Sequence, residues 1–221
     1  DTLGKEISDC SVAVQGFGNV GGWAARFLAR AGARVVAVSD INGVAYCESG
    51  FSEQELKVAT ITDLAQSHSS IGSQDLFELP VDILVPAAAG HVLTGRNTGG
   101  IKAKLVIEAA NAPITDDGDA VLEAAGVTVV PDILANAGGV VASYAEWRQA
   151  KSGEVMEREQ TYAIIEDRLN RAYDTVRQAR QELGVSCRMA SHVIAVNEVV
   201  QAMIERKWIS PESVRAKTAL V

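Results

Sequence analysis

A glycine-rich turn between an apolar strand and an amphipathic helix is the feature that most constrains the fold of this chain. Residues 12–21 have the sequence Val-Ala-Val-Gln-Gly-Phe-Gly-Asn-Val-Gly, and Asp40 ends the next apolar run. Gly16 suits a tight turn, Gly18 lets the backbone approach a pyrophosphate, and Gly21 lets the helix pack closely on the strand. Together with the flanking strand and helix, these glycines predict a dinucleotide-binding βαβ unit.

The helix after the turn is expected to point its N-terminus at the phosphates. Unpaired N–H groups and the positive end of the helix dipole favour an anion there. We therefore expect Asn19 and Val20 to lie against the pyrophosphate mainly through backbone groups, with Phe17 in the same loop.

Asp40 is expected to select the cofactor. Its carboxylate would accept hydrogen bonds from the adenosine ribose hydroxyls and would repel a 2′-phosphate. The adjacent Ile41 is also expected at the cofactor, and neither it nor Ser39 or Asn42 supplies a cation that could pair with such a phosphate. NAD is the predicted cofactor, with NADP left open.

Short apolar, β-branched runs alternate with helical stretches along the first part of the chain. Strands are predicted at residues 12–15, 35–39, 81–85, 105–107 and 127–130, and helices at 19–30, 52–58 and 119–125. Ser52 followed by Glu55 is a capping box that marks a helix start. The polar, Ser-rich stretch 66–74 is predicted to be a surface loop. This alternation predicts an α/β fold with a Rossmann-like, doubly wound parallel sheet.

After Asn136 the pattern changes to almost continuous helix. Helices are predicted at residues 140–150, 154–182 and 188–207. We therefore expect a dinucleotide-binding domain at residues 1–150, followed by a C-terminal all-helical extension at residues 151–221.

Charge and composition narrow the classes of partner. The net charge of −8 argues against nucleic acid or an anionic membrane, because both require a basic surface. The three cysteines are scattered, so neither a disulfide framework nor a metal site is predicted. The sequence contains no long apolar run and no signal peptide, which predicts a cytoplasmic protein.

Several motifs together resemble the glutamate dehydrogenases, within the Glu/Leu/Phe/Val amino-acid dehydrogenase family. They are Val-Gln-Gly-Phe-Gly-Asn-Val-Gly at 14–21, Val-Ser-Asp-Ile-Asn-Gly at 38–43, Ile-Leu-Val-Pro-Ala-Ala at 83–88, Glu-Ala-Ala-Asn at 108–111 and Pro-Asp-Ile-Leu-Ala-Asn-Ala-Gly-Gly-Val at 131–140. They occur in the order and spacing of that family and cover most of the chain.

The resemblance implies further site residues. Ala87 and Ala88 end a strand where the backbone of the family passes the cofactor. Asn111 and Asn136 match asparagines around the nicotinamide and its ribose, while Val140 and Ser143 match positions that touch the amino-acid substrate. On the residues alone, loop or cap chemistry is the favoured explanation of Asn111 and Asn136.

The resemblance also implies what the chain does not contain. The catalytic lysine and aspartate of the family belong to an N-terminal domain expected upstream of Asp1, so no catalytic residue is assigned here. It implies oxidative deamination of L-glutamate to 2-oxoglutarate by the full-length protein, as a homo-oligomer, by family resemblance a hexamer, with the separated chain inactive. Two local departures from the pattern occur. Ala89-Gly90-His91 stands where Leu-Glu-Asn is usual, and Ala112 stands where Gly precedes Pro113.

Two alternatives remain open from the sequence. A non-catalytic NAD-sensing regulatory module would use the same fold without a substrate site. A leucine or phenylalanine dehydrogenase would belong to the same family, but those enzymes carry a Cys-Ala-Leu-Gly motif after the strand that this sequence lacks.

Overall fold

The computed structural model of the protein describes residues 2–211 and contains one seven-stranded sheet. The strands are β1 (Ser11–Gln15), β2 (Arg34–Asp40), β3 (Gly43–Tyr46), β4 (Ser69–Ser70), β5 (Ile83–Pro86), β6 (Leu105–Ile107) and β7 (Thr128–Val130). Their order is β4-β3-β2-β1-β5-β6-β7. The pairs β1–β2, β1–β5, β5–β6 and β6–β7 are all parallel, which confirms the predicted Rossmann-like α/β fold.

The edge of the sheet beyond β2 is antiparallel and was not predicted. Strand β2 turns back into β3 through Ile41 and Asn42, so that Asp40 pairs with Gly43. Asn42 and Gly43 are residue types typical of turns, and they were the available signal for this edge. Strand β4 pairs with β3 inside the stretch 66–74, which is largely exposed but is not a simple loop as predicted.

Nine α-helices are defined within the described residues. They are α1 (Asn19–Arg30), α2 (Glu53–Val58), α3 (Ile61–Ser67), α4 (Ser73–Phe77), α5 (Asp116–Ala124), α6 (Asp132–Ala135), α7 (Gly138–Ser152), α8 (Arg158–Leu183) and α9 (Cys187–Glu205). Helix α2 begins after the predicted capping box, in which the Ser52 N–H donates to Glu55 Oε2 at 2.8 Å and the Glu55 N–H donates to Ser52 Oγ at 3.2 Å. Helices α3, α4 and α6 were not predicted, and each has seven residues or fewer.

Helices cover both faces of the sheet. Alternate side chains of β1 enter two separate apolar clusters, Val12 and Val14 on one face and Ala13 on the other. The first cluster contains buried residues of α1, α2, α3, α8 and α9, and the second contains buried residues of α4 and α5. The sheet is therefore doubly wound, and α8 and α9 pack on the same face as α1.

The C-terminal helices form as predicted but bury little of their surface. Ala145 is the buried residue of α7, and Val176 is the buried residue of α8. Helix α7 spans the expected domain boundary at residue 150, and the division there stays a prediction. None of the helices within residues 2–211 is long and apolar enough to cross a membrane.

Candidate functional site

An open cleft of about 450 Å³ lies at the carboxyl edge of the sheet. The chain order reverses at β1, because β2 adds on one side of it and β5 on the other. Ligands of open α/β sheets bind at such a switch point. The cleft is lined by Val20, Ala87, Ala88, Ala89, Gly90, Ala109, Ala110, Asn111 and Asn136.

The glycine turn after β1 forms one border of the site. Gly16 has a φ of +100°, and a Cβ there would lie 2.8 Å from the Ala88 nitrogen. A Cβ on Gly21 would lie 1.8 Å from the Gly16 carbonyl oxygen, so α1 packs against the turn at a distance that only glycine permits. The Gly16 N–H donates to Ser39 Oγ at 3.2 Å, which fixes the turn to the end of β2.

Gly18 differs from its two neighbours because the space beside it is open. A Cβ on Gly18 would meet no atom within 4 Å. Gly18 is the N-cap of α1, it provides no side-chain cap, and the first turn of the helix carries no acidic residue. The first intrahelical hydrogen bond runs from the Gly22 N–H to the Gly18 carbonyl oxygen, so the preceding N–H groups have no partner within the helix.

The other predicted residues of this loop differ in exposure. Asn19 and Val20 are exposed at the start of α1, and Val20 reaches the cleft. The Phe17 side chain packs partly buried against the core. Phe17 does not line the cleft, and its role at the cofactor stays a prediction.

Asp40 and Ile41 lie on the β2 side of the turn. Gln15 pairs with Ser39, so Asp40 ends its strand beside the glycine turn. Its carboxylate accepts the Asn42 N–H at 2.7 Å and the Asn42 Nδ2–H at 3.0 Å. The Ile41 side chain is fully exposed. Neither residue lines the cleft itself.

The loops after β5 and β6 form the opposite border. The Ala87 N–H donates to the Gln15 carbonyl oxygen at 2.7 Å, which ties the end of β5 to the end of β1. Asn136 Nδ2 donates to Asn111 Oδ1 at 2.7 Å, so two side chains far apart in the sequence meet in the cleft. Within the described part of the chain, Asn111 Nδ2 and Asn136 Oδ1 have no hydrogen-bond partner.

The two predicted substrate residues are not in this cleft. Val140 and Ser143 are exposed on α7, in the i and i+3 positions of one helix face. Tyr144 and Trp147 continue the same exposed face and stack on each other with ring centroids 5.9 Å apart. The substrate role of Val140 and Ser143 stays a prediction.

The two departures from the family pattern coincide with unusual backbone. His91 has a φ of 57° and Ala112 a φ of 44°, and the His91 N–H donates to the Ala112 carbonyl oxygen at 2.8 Å. The left-handed region disfavours residues with a Cβ and is occupied mainly by glycine and asparagine. Those are the residue types that the family pattern has at these two positions, and Ala112 is the one of the two that is poorly suited to this conformation.

A partly buried ion cluster beneath the cleft was missed by the sequence analysis. The guanidinium of Arg188 contacts Glu108 Oε1 at 2.8 Å, Asp119 Oδ2 at 2.8 Å and Asp132 Oδ1 at 3.9 Å. Burial works against its charge, but the hydrogen bonds that the guanidinium donates to Glu108 and Asp119 outweigh this effect and raise the pKa of Arg188 above its ordinary value. Glu108 is fully buried. An acidic residue inside an apolar stretch was the available signal, because a buried charge needs a partner.

The comparison with known families fits this geometry. The model of the glutamate/leucine/phenylalanine/valine dehydrogenase family matches residues 1–207. The chain belongs to this family. The resemblance inferred from the motifs is therefore confirmed.

Individual family members are similar over nearly the whole chain. The NAD-specific glutamate dehydrogenase of Staphylococcus aureus (strain COL) is 36% identical over 208 residues, which are 92% of this chain and 50% of that protein. The NADP-specific glutamate dehydrogenase of Saccharolobus shibatae is 37% identical over 206 residues, 90% of this chain and 49% of that protein.

A solved structure of the family has the same fold. The hetero-hexameric glutamate dehydrogenase of Thermus thermophilus in its Leu-bound form superposes with a TM-score of 0.83 at 29% identity, covering 92% of this chain and 49% of that one. The chain thus spans about half the length of the family members it matches.

Proposed function

We propose that the chain is the nucleotide-binding part of an NAD(P)-dependent glutamate dehydrogenase, which converts L-glutamate to 2-oxoglutarate and ammonia by oxidative deamination. The observation that carries the proposal is the open N-terminus of α1 beside Gly18, at the switch point of the sheet. When bound, NAD supplies the hydride acceptor of such a reaction. The relatives described above are glutamate dehydrogenases, which favours this activity over a sensing module or over leucine and phenylalanine dehydrogenases.

The pyrophosphate fits the glycine turn. Gly18 leaves its side-chain position empty, and the exposed backbone at Asn19 and Val20 offers N–H groups without intrahelical partners. The dipole of α1 adds a positive potential at the same point. In this proposal Gly16 and Gly21 keep the turn close to β5, so that the phosphates lie across the end of β1.

The adenosine fits the end of β2. The Asp40 carboxylate accepts two hydrogen bonds from Asn42, which hold it in one orientation beside the turn. Each carboxylate oxygen has a further lone pair for a ribose hydroxyl. The exposed side chain of Ile41 offers an apolar surface next to it. We propose that NAD binds more tightly than NADP, because a 2′-phosphate would approach a fixed negative charge.

The nicotinamide fits between the two asparagines. Their mutual hydrogen bond orients both amides and leaves the Asn111 amino group and the Asn136 carbonyl oxygen for a ligand. One donor and one acceptor match the carbonyl oxygen and the amino group of a carboxamide. The alanine backbone at Ala87 and Ala88 gives the ring a small, apolar wall.

Proton transfer needs groups that this cleft does not supply. Among the described residues that line it, none has an acidic or basic side chain. Oxidative deamination requires a base for the amine and activation of water at the imine carbon. We therefore propose that a lysine and an aspartate in another part of the full-length protein carry these steps. The exposed α7 face with Val140 and Ser143 would form the nearer wall for glutamate, in a homo-hexameric assembly.

Calorimetric titration of the chain with NAD tests the proposal. We expect binding by the unmodified chain and its loss in Gly18→Val, because the branched side chain would fill the space for the pyrophosphate. Gly99→Val is the matched control, since its Cβ position is equally open and lies outside the cleft. Equal NAD affinity in all three proteins would contradict the proposed pyrophosphate site.

A turnover assay tests whether the groups that transfer protons lie outside this chain. The pure chain is expected to form no NADH from NAD and glutamate, although it binds the cofactor. Glutamate-dependent NADH formation by the chain alone would show that it contains the acid/base groups after all.

A further inference from the structure

The ion cluster beneath the cleft connects the first turn of α9 to the end of β6. Arg188 Nη1 and Nη2 donate to the two carboxylate oxygens of Glu108 at 3.0 and 2.8 Å. Glu108 directly follows β6 and has no exposed surface. Such a two-point contact of a guanidinium with a carboxylate fixes the orientation of both groups.

The cluster continues from Glu108 to the wall of the cleft. The Asp132 N–H donates to Glu108 Oε2 at 2.8 Å, and Asp132 Oδ2 accepts the Ala112 N–H at 2.7 Å. Ala112 follows Asn111, which lines the cleft and accepts the hydrogen bond from Asn136. An unbroken series of contacts therefore joins the partly buried guanidinium of Arg188 to the two asparagines.

Ala112 needs this support more than most residues would. Its φ of 44° is unfavourable for a side chain with a Cβ. It also precedes Pro113, and the residue before a proline is driven toward extended backbone. Two hydrogen bonds hold Ala112 in this conformation, one from its N–H to Asp132 and one from the His91 N–H to its carbonyl oxygen.

We propose that Arg188 is a positioning residue for the nicotinamide side of the cleft, acting through Glu108 and Asp132 to hold Ala112 and thereby Asn111. The proposal rests on the proposed function for the identity of the ligand. Arg188 itself does not line the cleft. Its effect on binding is therefore confined to the end of the cofactor that Asn111 and Asn136 would contact.

The binding of two ligands, NAD and ADP-ribose, distinguishes a positioning role of Arg188 from a general effect on the stability of the fold. ADP-ribose contains the adenosine, the pyrophosphate and the second ribose of NAD but lacks nicotinamide. We expect Arg188→Gln to weaken NAD binding about tenfold while changing the Kd of ADP-ribose less than about twofold. Asp132→Ala removes the last contact of the series and should have the same selective effect.

Asp119→Ala is the matched control. Asp119 contacts the same guanidinium at 2.8 Å, but it does not line the cleft. We expect it to lower the thermal unfolding temperature as Arg188→Gln does, with no selective loss of NAD. Selective loss in this variant, or equal loss of both ligands in Arg188→Gln, would overturn the positioning role.

The amide resonance of Ala112 gives a readout that does not depend on any ligand. Hydrogen bonding to a carboxylate shifts an amide proton downfield, so the Ala112 signal should move upfield in Arg188→Gln and Asp132→Ala and stay in place in Asp119→Ala. An unchanged signal in Arg188→Gln would refute the series of contacts, even if the unmodified chain bound no nucleotide and the proposed function failed. If Arg188→Gln does not fold, Asp132→Ala carries the test, because its side chain is 25% exposed.

Discussion

The glycine turn after β1 and the loops after β5 and β6 border the same cleft but are held in place by different means. The turn depends on the identity of its own glycines, since Gly16 and Gly21 allow contacts with Ala88 and with the Gly16 carbonyl oxygen that a Cβ would block. The other loops hold Ala112 in a left-handed conformation through a carboxylate from residue 132 and a cation from residue 188. One border is specified locally by residue type, and the other by charges brought together only in the fold.

The largest effect is expected at Gly21, where α1 packs most tightly against the glycine turn. In Gly21→Ala the new Cβ would lie 1.8 Å from the Gly16 carbonyl oxygen, so α1 must move away from the turn. We expect the free energy of unfolding to fall by roughly 3 kcal/mol, the upper range for overpacking, and NAD binding to be lost. Urea unfolding and calorimetry measure the two quantities.

Gly18→Ala is the counterpart in the same turn. No atom lies within 4 Å of its Cβ position, so the free energy of unfolding should change by less than about 1 kcal/mol while NAD binding weakens. If Gly18→Ala destabilised the fold as strongly as Gly21→Ala, the open space beside the N-terminus of α1 would not exist in solution.

A smaller effect is expected at the end of β2, where the side chain of Asp40 should act on the cofactor directly and not through the packing of the fold. Asp40→Ser removes the fixed carboxylate, so an NAD preference of about tenfold, equivalent to ~1.4 kcal/mol, should narrow toward equal affinity for NAD and NADP. Calorimetric titrations with both cofactors measure the ratio. Asp167→Ser on α8 controls for the loss of one negative charge, and comparable affinities in the unmodified chain would show that Asp40 does not discriminate.

The difference between the two borders also explains which parts of the molecule the sequence predicted. The glycine turn, the parallel strands and the capping box at Ser52 are short patterns in which neighbouring residues determine the geometry. Strand β4 at the edge of the sheet was missed because it has two residues and no apolar periodicity. The ion cluster was missed because Glu108, Asp132 and Arg188 form no common sequence pattern. The only signal was a single acidic residue directly after an apolar strand, which indicated that a buried carboxylate needs a partner.

The substrate role of Val140 and Ser143 stays a prediction. Val140 and Ser143 lie on an exposed helix face and not in the cleft.

The smallest effect tests whether the second border is strained. Ala112→Gly puts the residue without a Cβ into the left-handed backbone, which removes a cost of about 1–2 kcal/mol and adds about 0.5–1 kcal/mol of chain entropy in the unfolded state. We expect a net gain of roughly 0.5–1 kcal/mol in the free energy of unfolding, measured by urea denaturation. Ala110→Gly is the matched control: its φ is not positive, so it should lose stability. An equal decrease of the free energy of unfolding in both variants would mean that Ala112 is not strained. The hydrogen bond from Ala112 to Asp132 would then not be needed to hold a strained backbone.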